Sequence, residues 1–207
     1  MEKSFIRSRE MYSVEQIKKL LESRLTDDRY THSLNVADKA VELARKYGED
    51  TDKAYLAGLL HDICKNEDKQ TLLEMTKKCR FTAENSEVIV PALHHAVAGA
   101  WYCENELGVT DEDILRAVRY HTVARAEMSL LEMIIYLADL TSAERDYPDV
   151  ENMRRVCGIS LELAMLEALR FTLRNVSERK SYLPETSLKA YNYYLGFVKE
   201  NGLSEEI

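Results

Sequence analysis

Five histidines, His32, His61, His94, His95 and His121, and two aspartates, Asp62 and Asp139, are the residues whose types and settings invite chemistry. His61 and Asp62 close the apolar run Leu56-Ala57-Gly58-Leu59-Leu60, where an imidazole and a carboxylate are costly to bury unless paired or bound to a cation. Asp139 follows Met133-Ile134-Ile135-Tyr136-Leu137-Ala138, a run that reads as a helix buried nearly all round. An ionised carboxylate there needs a cation or several donors. His32 lies beside Leu34 and Val36. Singly, each has an ordinary explanation, a capping Asp or a satisfied core His. Jointly, three helices each bring an imidazole or carboxylate into an apolar setting, as helical bundles do when they build metal sites. Such N and O ligands suit Fe, Mn, Co, Zn or Ni, and the lack of thiolate argues against a structural zinc site.

The elements that must carry these residues read as helices throughout. Apolar residues recur at three- and four-residue spacing from end to end, alternating strand patterns are hard to find, and the expected fold is all-α. Ser13 with Gln16 starts a helix to about Arg24, and the next runs from about Asp28 to Tyr47, stopped by Gly48. A third covers Thr51 to Cys64. Asp68 caps a short helix to Cys79, Pro91 opens one ending near Gly108, and Thr110 with Asp113 starts another. Further helices are expected over Ser129 to Thr141, Val150 to Val156, Ser160 to Val176, and Thr186 to Glu200 after Pro184. No repeat, linker or low-complexity stretch interrupts them, so residues 1–207 are expected to form one domain.

Composition narrows the partners. With 28 basic and 36 acidic residues the net charge is −8, which repels a nucleic-acid backbone and leaves any anionic substrate to a local site. The four cysteines form no CxxC pair, MEKSFIRSRE lacks the apolar core of a signal peptide, and no apolar run has membrane-spanning length. The expectation is a reduced, cytoplasmic protein that binds neither nucleic acid nor membrane. No glycine-rich phosphate loop is present, so a P-loop NTPase is not supported.

His32, then His61-Asp62, then Asp139 resembles the H…HD…D signature of the HD-domain metal-dependent phosphohydrolases. Longer segments, Arg29-Tyr30-Thr31-His32-Ser33, Ala57 through Lys65, Tyr120-His121-Thr122, Met128 through Asp139 and Arg145-Asp146-Tyr147-Pro148, are similar to their bacterial YqeK-like branch. The likeness covers about Leu20 to Leu195 and implies a single HD-domain helical bundle. It implies symmetrical cleavage of dinucleoside tetraphosphates, typically diadenosine tetraphosphate to two ADP, at a divalent transition metal, iron foremost. It makes His32, His61, Asp62 and Asp139 metal ligands, and His94 and His121 holders of a second metal or of phosphate. A bound metal would acidify water and neutralise phosphate charge. Asp62 is then suited to orienting that water, and Lys65 and Arg125 to contacting phosphate oxygens, with Arg29 and Arg145 as further contacts. Ala124 stands where the family usually has Gly, and His95-Ala96 replaces a common small-residue and Pro pair.

Other HD chemistries compete: a nucleoside monophosphate phosphatase, a guanosine tetraphosphate hydrolase, or a cyclic-dinucleotide phosphodiesterase, whose usual GYP motif is missing. A regulator that only binds nucleotide is the alternative from another class, and a homodimer is the expected assembly if the chain self-associates. Between His94 and His95, helix geometry favours His94. Leu93, Ala96, Val97, Ala100 and Trp101 form an apolar stripe, placing His94 at its boundary and His95 nearly opposite, toward solvent.

Overall fold

The computed structural model describes residues 12–203; the stretch MEKSFIRSRE considered above lies outside them. Among the described residues there is no strand, and the all-α expectation holds. The inner helices are α2 (Asp27–Tyr47), α3 (Thr51–Leu60), α7 (Glu112–Tyr120) and α8 (Leu130–Thr141). Around them run α1 (Val14–Arg24), α4 (Lys69–Lys78), α5 (Asn85–Ile89) and α6 (His94–Asn105), the last entered through a 3-10 turn at Pro91–Leu93. The chain ends in α9 (Val150–Cys157), α10 (Leu161–Glu178) and α11 (Glu185–Glu200). None of these helices is long and apolar enough to cross a membrane.

Local chemistry sets most boundaries. Ser13 with Gln16 and Ser129 with Glu132 form reciprocal capping boxes on α1 and α8, each satisfying two otherwise orphaned donors. The carboxylates of Asp50, Asp68 and Asp111 cap α3, α4 and α7. Gly48, at φ 80°, ends α2 in the left-handed region that glycine adopts without steric cost.

α2 packs on α3 and α8, both of which also meet α7, while α6 lies against α4 and α7. One connected set of buried apolar side chains runs from Ile17 to Val198. The α2–α3 crossing is unusually close at Gly58, where a Cβ would lie 2.6 Å from the Cα of Ala37. The missing side chain therefore lets α3 approach α2, and His61 with it.

Several boundaries depart from the sequence reading. α3 stops at Leu60 rather than Cys64, because Ile63 N–H donates to Leu60 O and Lys65 N–H to Asp62 O, three-residue bonds that turn the chain. The expected helix from Pro91 is the 3-10 turn followed by α6, which ends at Asn105 rather than Gly108. Asp111 replaces Thr110 as the cap of α7. α5 was not expected; Glu84 and Glu87 make a capping box in what reads as a polar connection.

Candidate metal centre

His61 and His121 sit at equivalent places, the residues that end α3 and α7, and each ring folds back on its own helix. His61 Nδ1 lies 2.7 Å from Gly58 O and His121 Nδ1 2.7 Å from Val118 O. His95, at the start of α6, does the same to Ala92 O in the 3-10 turn, at 2.8 Å. A carbonyl only accepts, so these Nδ1 atoms carry the proton and the Nε2 lone pairs point inward. His32 reaches the same tautomer differently, with Nδ1 against the Glu144 carboxylate.

The inward nitrogens converge. His32 Nε2 is 3.3 Å from His61 Nε2 and 3.1 Å from Asp139 Oδ1. His95 Nε2 is 3.2 Å from His121 Nε2. Asp62 stands between the pairs: Oδ2 is 3.5 Å from His61 Nε2, while Oδ1 is 3.1 Å from His95 Nε2 and 3.5 Å from His121 Nε2. Lone pairs facing lone pairs and carboxylate oxygens repel unless a cation lies among them. Asp62 Oδ1 is buried with no hydrogen-bond donor of its own, Lys65 Nζ standing 3.6 Å off, beyond hydrogen-bond reach, which favours a closer positive partner. The donor set is N and O throughout, with carbonyl or carboxylate partners behind each imidazole, the outer arrangement typical of metal-bound histidine. His32, His61 and Asp139 form one group able to hold an ion, and His61, Asp62 and His121 another.

Protonation states fit the same reading. Burial pushes the Asp62 carboxyl up, yet positive charge on the surrounding imidazoles, that of His61 foremost, outweighs it and holds the group well below the usual carboxylate range, and a cation among neutral rings would act in the same direction. Asp139 is likewise lowered against the effect of its burial, by His32, His61 and Arg145. Burial brings His95 down to about 4, so its ring is neutral near pH 7 and its Nε2 lone pair available.

Of the residues singled out in the sequence, His32, His61, Asp62, His121 and Asp139 come together. Lys65 and Arg29 join them at the rim: Lys65 Nζ is 3.0 Å from His95 Nε2, and Arg29 donates to Asp62 Oδ2 at 2.8 Å. Both side chains remain about one-third exposed, at 33% and 31%. Arg145 grips Asp139, donating to its carboxylate and, at 2.7 Å, to its carbonyl.

Two expectations are corrected. His95, not His94, enters the cluster, and His95 does not face solvent. An apolar stripe opposite a polar face needs one exposed side, but every residue of α6 from His94 to Ala100 is buried, while Leu93 and Trp101 are only half-buried. His94 instead points Nε2 at Val88 O, 2.9 Å away. Arg125 is not brought to the cluster either. Its Nε and NH2 engage the two oxygens of buried Glu132, and NH1 donates to Ala126 O, which ties the loop before α8 to that helix's capping box. Ala124, just before it, has φ 57°, in the left-handed region that favours glycine.

Sequence reasoning missed three residues here. Glu144 holds His32, and no local signal marks it. Arg119 and Glu87, each 1% exposed, pair through both guanidinium ends at 2.7 and 2.8 Å and fasten the segment around α5 to α7, two residues before His121. The sign available in the sequence was Arg119 falling on the same helical face as Leu115.

Residues 29–144 match the HD domain, a span that contains His32, His61, Asp62, His95, His121 and Asp139. The chain belongs to the HD-domain family. This HD-domain chain is 35% identical over 176 residues to "Bis(5'-nucleosyl)-tetraphosphatase, symmetrical" of Halalkalibacterium halodurans, covering 85% of this chain and 94% of that protein. It is 34% identical over 174 residues to the protein of the same name from Bacillus subtilis, covering 84% and 92%. Among solved structures, a predicted HD superfamily hydrolase involved in NAD metabolism from Clostridium acetobutylicum has the same fold, with a TM-score of 0.87 and 34% identity over 91% of this chain and 100% of that one.

Proposed function

We propose that this HD-domain protein is a metal-dependent hydrolase that cleaves dinucleoside tetraphosphates symmetrically, diadenosine tetraphosphate and one water giving two ADP. The observation that carries the reading is the buried convergence of four imidazoles on Asp62 and Asp139 beneath two cations about one-third exposed. The names of its relatives in Halalkalibacterium halodurans and Bacillus subtilis supply the substrate class. His32, His61, Asp62 and Asp139 would hold a divalent metal, iron foremost, with His95 and His121 completing a second position around Asp62 or meeting phosphate. When bound, the metal supplies a water acidified toward neutrality and compensation of phosphate charge.

The chain's own residues do the rest. Asp62 stays ionised and, through Oδ1, accepts a hydrogen bond from the attacking water and orients it toward one of the two inner phosphorus atoms. As the water oxygen bonds to that phosphorus, its bond to the central bridging oxygen breaks, the bridging oxygen leaves on one ADP, the attacked half becomes the other, and the proton lost by the water passes to solvent. Lys65 and Arg29, at the rim with one side toward Asp62, donate to the non-bridging phosphate oxygens and hold the chain in line. Arg145 keeps Asp139 aimed at His32 and serves the site as an anchor.

Chromatography of the products from a panel of dinucleoside polyphosphates, nucleoside monophosphates and guanosine tetraphosphate, with several added metals, tests this. ADP as the sole product of diadenosine tetraphosphate is expected. AMP with ATP, or turnover confined to mononucleotides, overturns it.

A further inference from the structure

Three of the four site histidines orient themselves without outside help. His61 and His121 sit at helix C-terminal ends, where carbonyls lack ladder partners and one three residues back takes the Nδ1 proton, and His95 uses Ala92 O of the 3-10 turn that leads into α6. His32 cannot do this, because it lies inside the 21-residue helix α2, where carbonyls are committed to the helix ladder. Its acceptor must come from elsewhere, and the connection between α8 and α9 brings one. Glu144 reaches His32 Nδ1 from 112 positions away in sequence, and the same carboxylate accepts from Ser142 Oγ and Asn35 Nδ2, both at 2.7 Å.

The connection that carries Glu144 is held firmly. Arg154 of α9 donates to Thr141 O at the end of α8, at 3.1 Å, and to three carbonyls of the connection, Ser142 O at 2.7 Å, Ala143 O at 3.5 Å and Arg145 O at 2.9 Å. Neighbouring residues in it therefore grip two different ligands, Glu144 taking His32 and Arg145 taking Asp139.

We infer that Glu144 is a positioning residue for the metal centre, fixing the ring orientation of His32 and strengthening its Nε2 as a donor. The inference rests on the reading of the site given above. A carboxylate suits the role because it only accepts, has lone pairs enough for three donors at once, and makes the imidazole behind it more basic toward a cation. The Glu144 side chain is 35% exposed, so its contribution to burial is small beside its hydrogen bonds to His32, Asn35 and Ser142.

The test titrates the chelator-stripped full-length protein with cobalt(II), reading apparent affinity and the visible absorption of the bound ion, for wild type, Glu144→Ala and Glu144→Gln. Loss of such an outer partner typically weakens metal affinity by about 10- to 100-fold. That weakening is expected for Glu144→Ala, with an altered absorption band and an unchanged melting temperature of the metal-free protein. Glu144→Gln keeps an accepting oxygen but no charge and is expected to fall between. Wild-type affinity and spectrum in Glu144→Ala overturn the inference alone. Should Glu144→Ala fail to fold, Glu144→Gln decides, and wild-type behaviour there overturns it. A wild-type chain that takes up no cobalt overturns the reading of the site and this inference with it.

Discussion

His94 and His95 are neighbours, both buried, and differ in what their rings can reach. His95 Nε2 meets Asp62, His121 and Lys65, all of them parts of the centre, whereas His94 Nε2 meets one backbone carbonyl at Val88. His95→Ala is therefore expected to reduce activity by at least about tenfold, roughly 1.4 kcal/mol of barrier, with little change in folding. His94→Ala removes a buried hydrogen bond and is expected to cost about 1–3 kcal/mol of stability, while metal content per folded molecule stays as in wild type. Steady-state kinetics, metal analysis and denaturant midpoints on the pair check this, and a silent His95→Ala would return that ring to a structural role. Their distinction was not legible in the sequence. A helix buried on all sides carries no polar face from which its rotation can be read.

Between elements, the decisive contact is the one at Gly58. His32 and His61 lie on different helices, and their 3.3 Å approach depends on how closely α3 can lie against α2. A methyl group at position 58 would meet the backbone of Ala37, with Cα at 2.6 Å and N at 2.9 Å, atoms that cannot rotate out of the way. Gly58→Ala is thus expected to push the helices apart, costing about 1–3 kcal/mol as overpacking does. His61, three residues further along, moves with α3, so metal affinity should fall as well. A denaturant midpoint and a metal titration equal to wild type would show that the crossing relaxes without disturbing the site. The helix starts, by contrast, were readable residue by residue. Ser13 with Gln16, Asp68 and Gly48 act within three or four positions of themselves, and the structure has all of them where the sequence places them.

At the scale of the whole molecule, a chain of net charge −8 keeps inward-facing imidazole lone pairs and an Asp62 oxygen without a hydrogen-bond donor in its interior, only partly compensated by Arg29, Lys65 and Arg145. A metal that binds the folded state alone offsets that cost by mass action, about 2.7 kcal/mol when its concentration is 100-fold above Kd. Chelation is then expected to lower the melting temperature by about 5–10 °C for a chain of this length, restored by adding metal back. A melting curve indifferent to chelator and to added metal would refute this.

What the sequence determined by itself was whatever depends on near neighbours or on residue type against its setting. It determined the all-α class, most helix ends, and His32, His61, Asp62 and Asp139 as polar groups too costly to bury alone, with their linked motifs pointing to the family. The tertiary structure alone decided that His95 rather than His94 completes the cluster, that Arg125 is bound to Glu132, and that Glu144 stands behind His32. Each of these turns on the rotation of a buried helix or on the exact aim of a side chain. Neither is set by hydrophobic periodicity, which reports that a residue is inside but not which residue, 112 positions away in the case of His32 and Glu144, it will face.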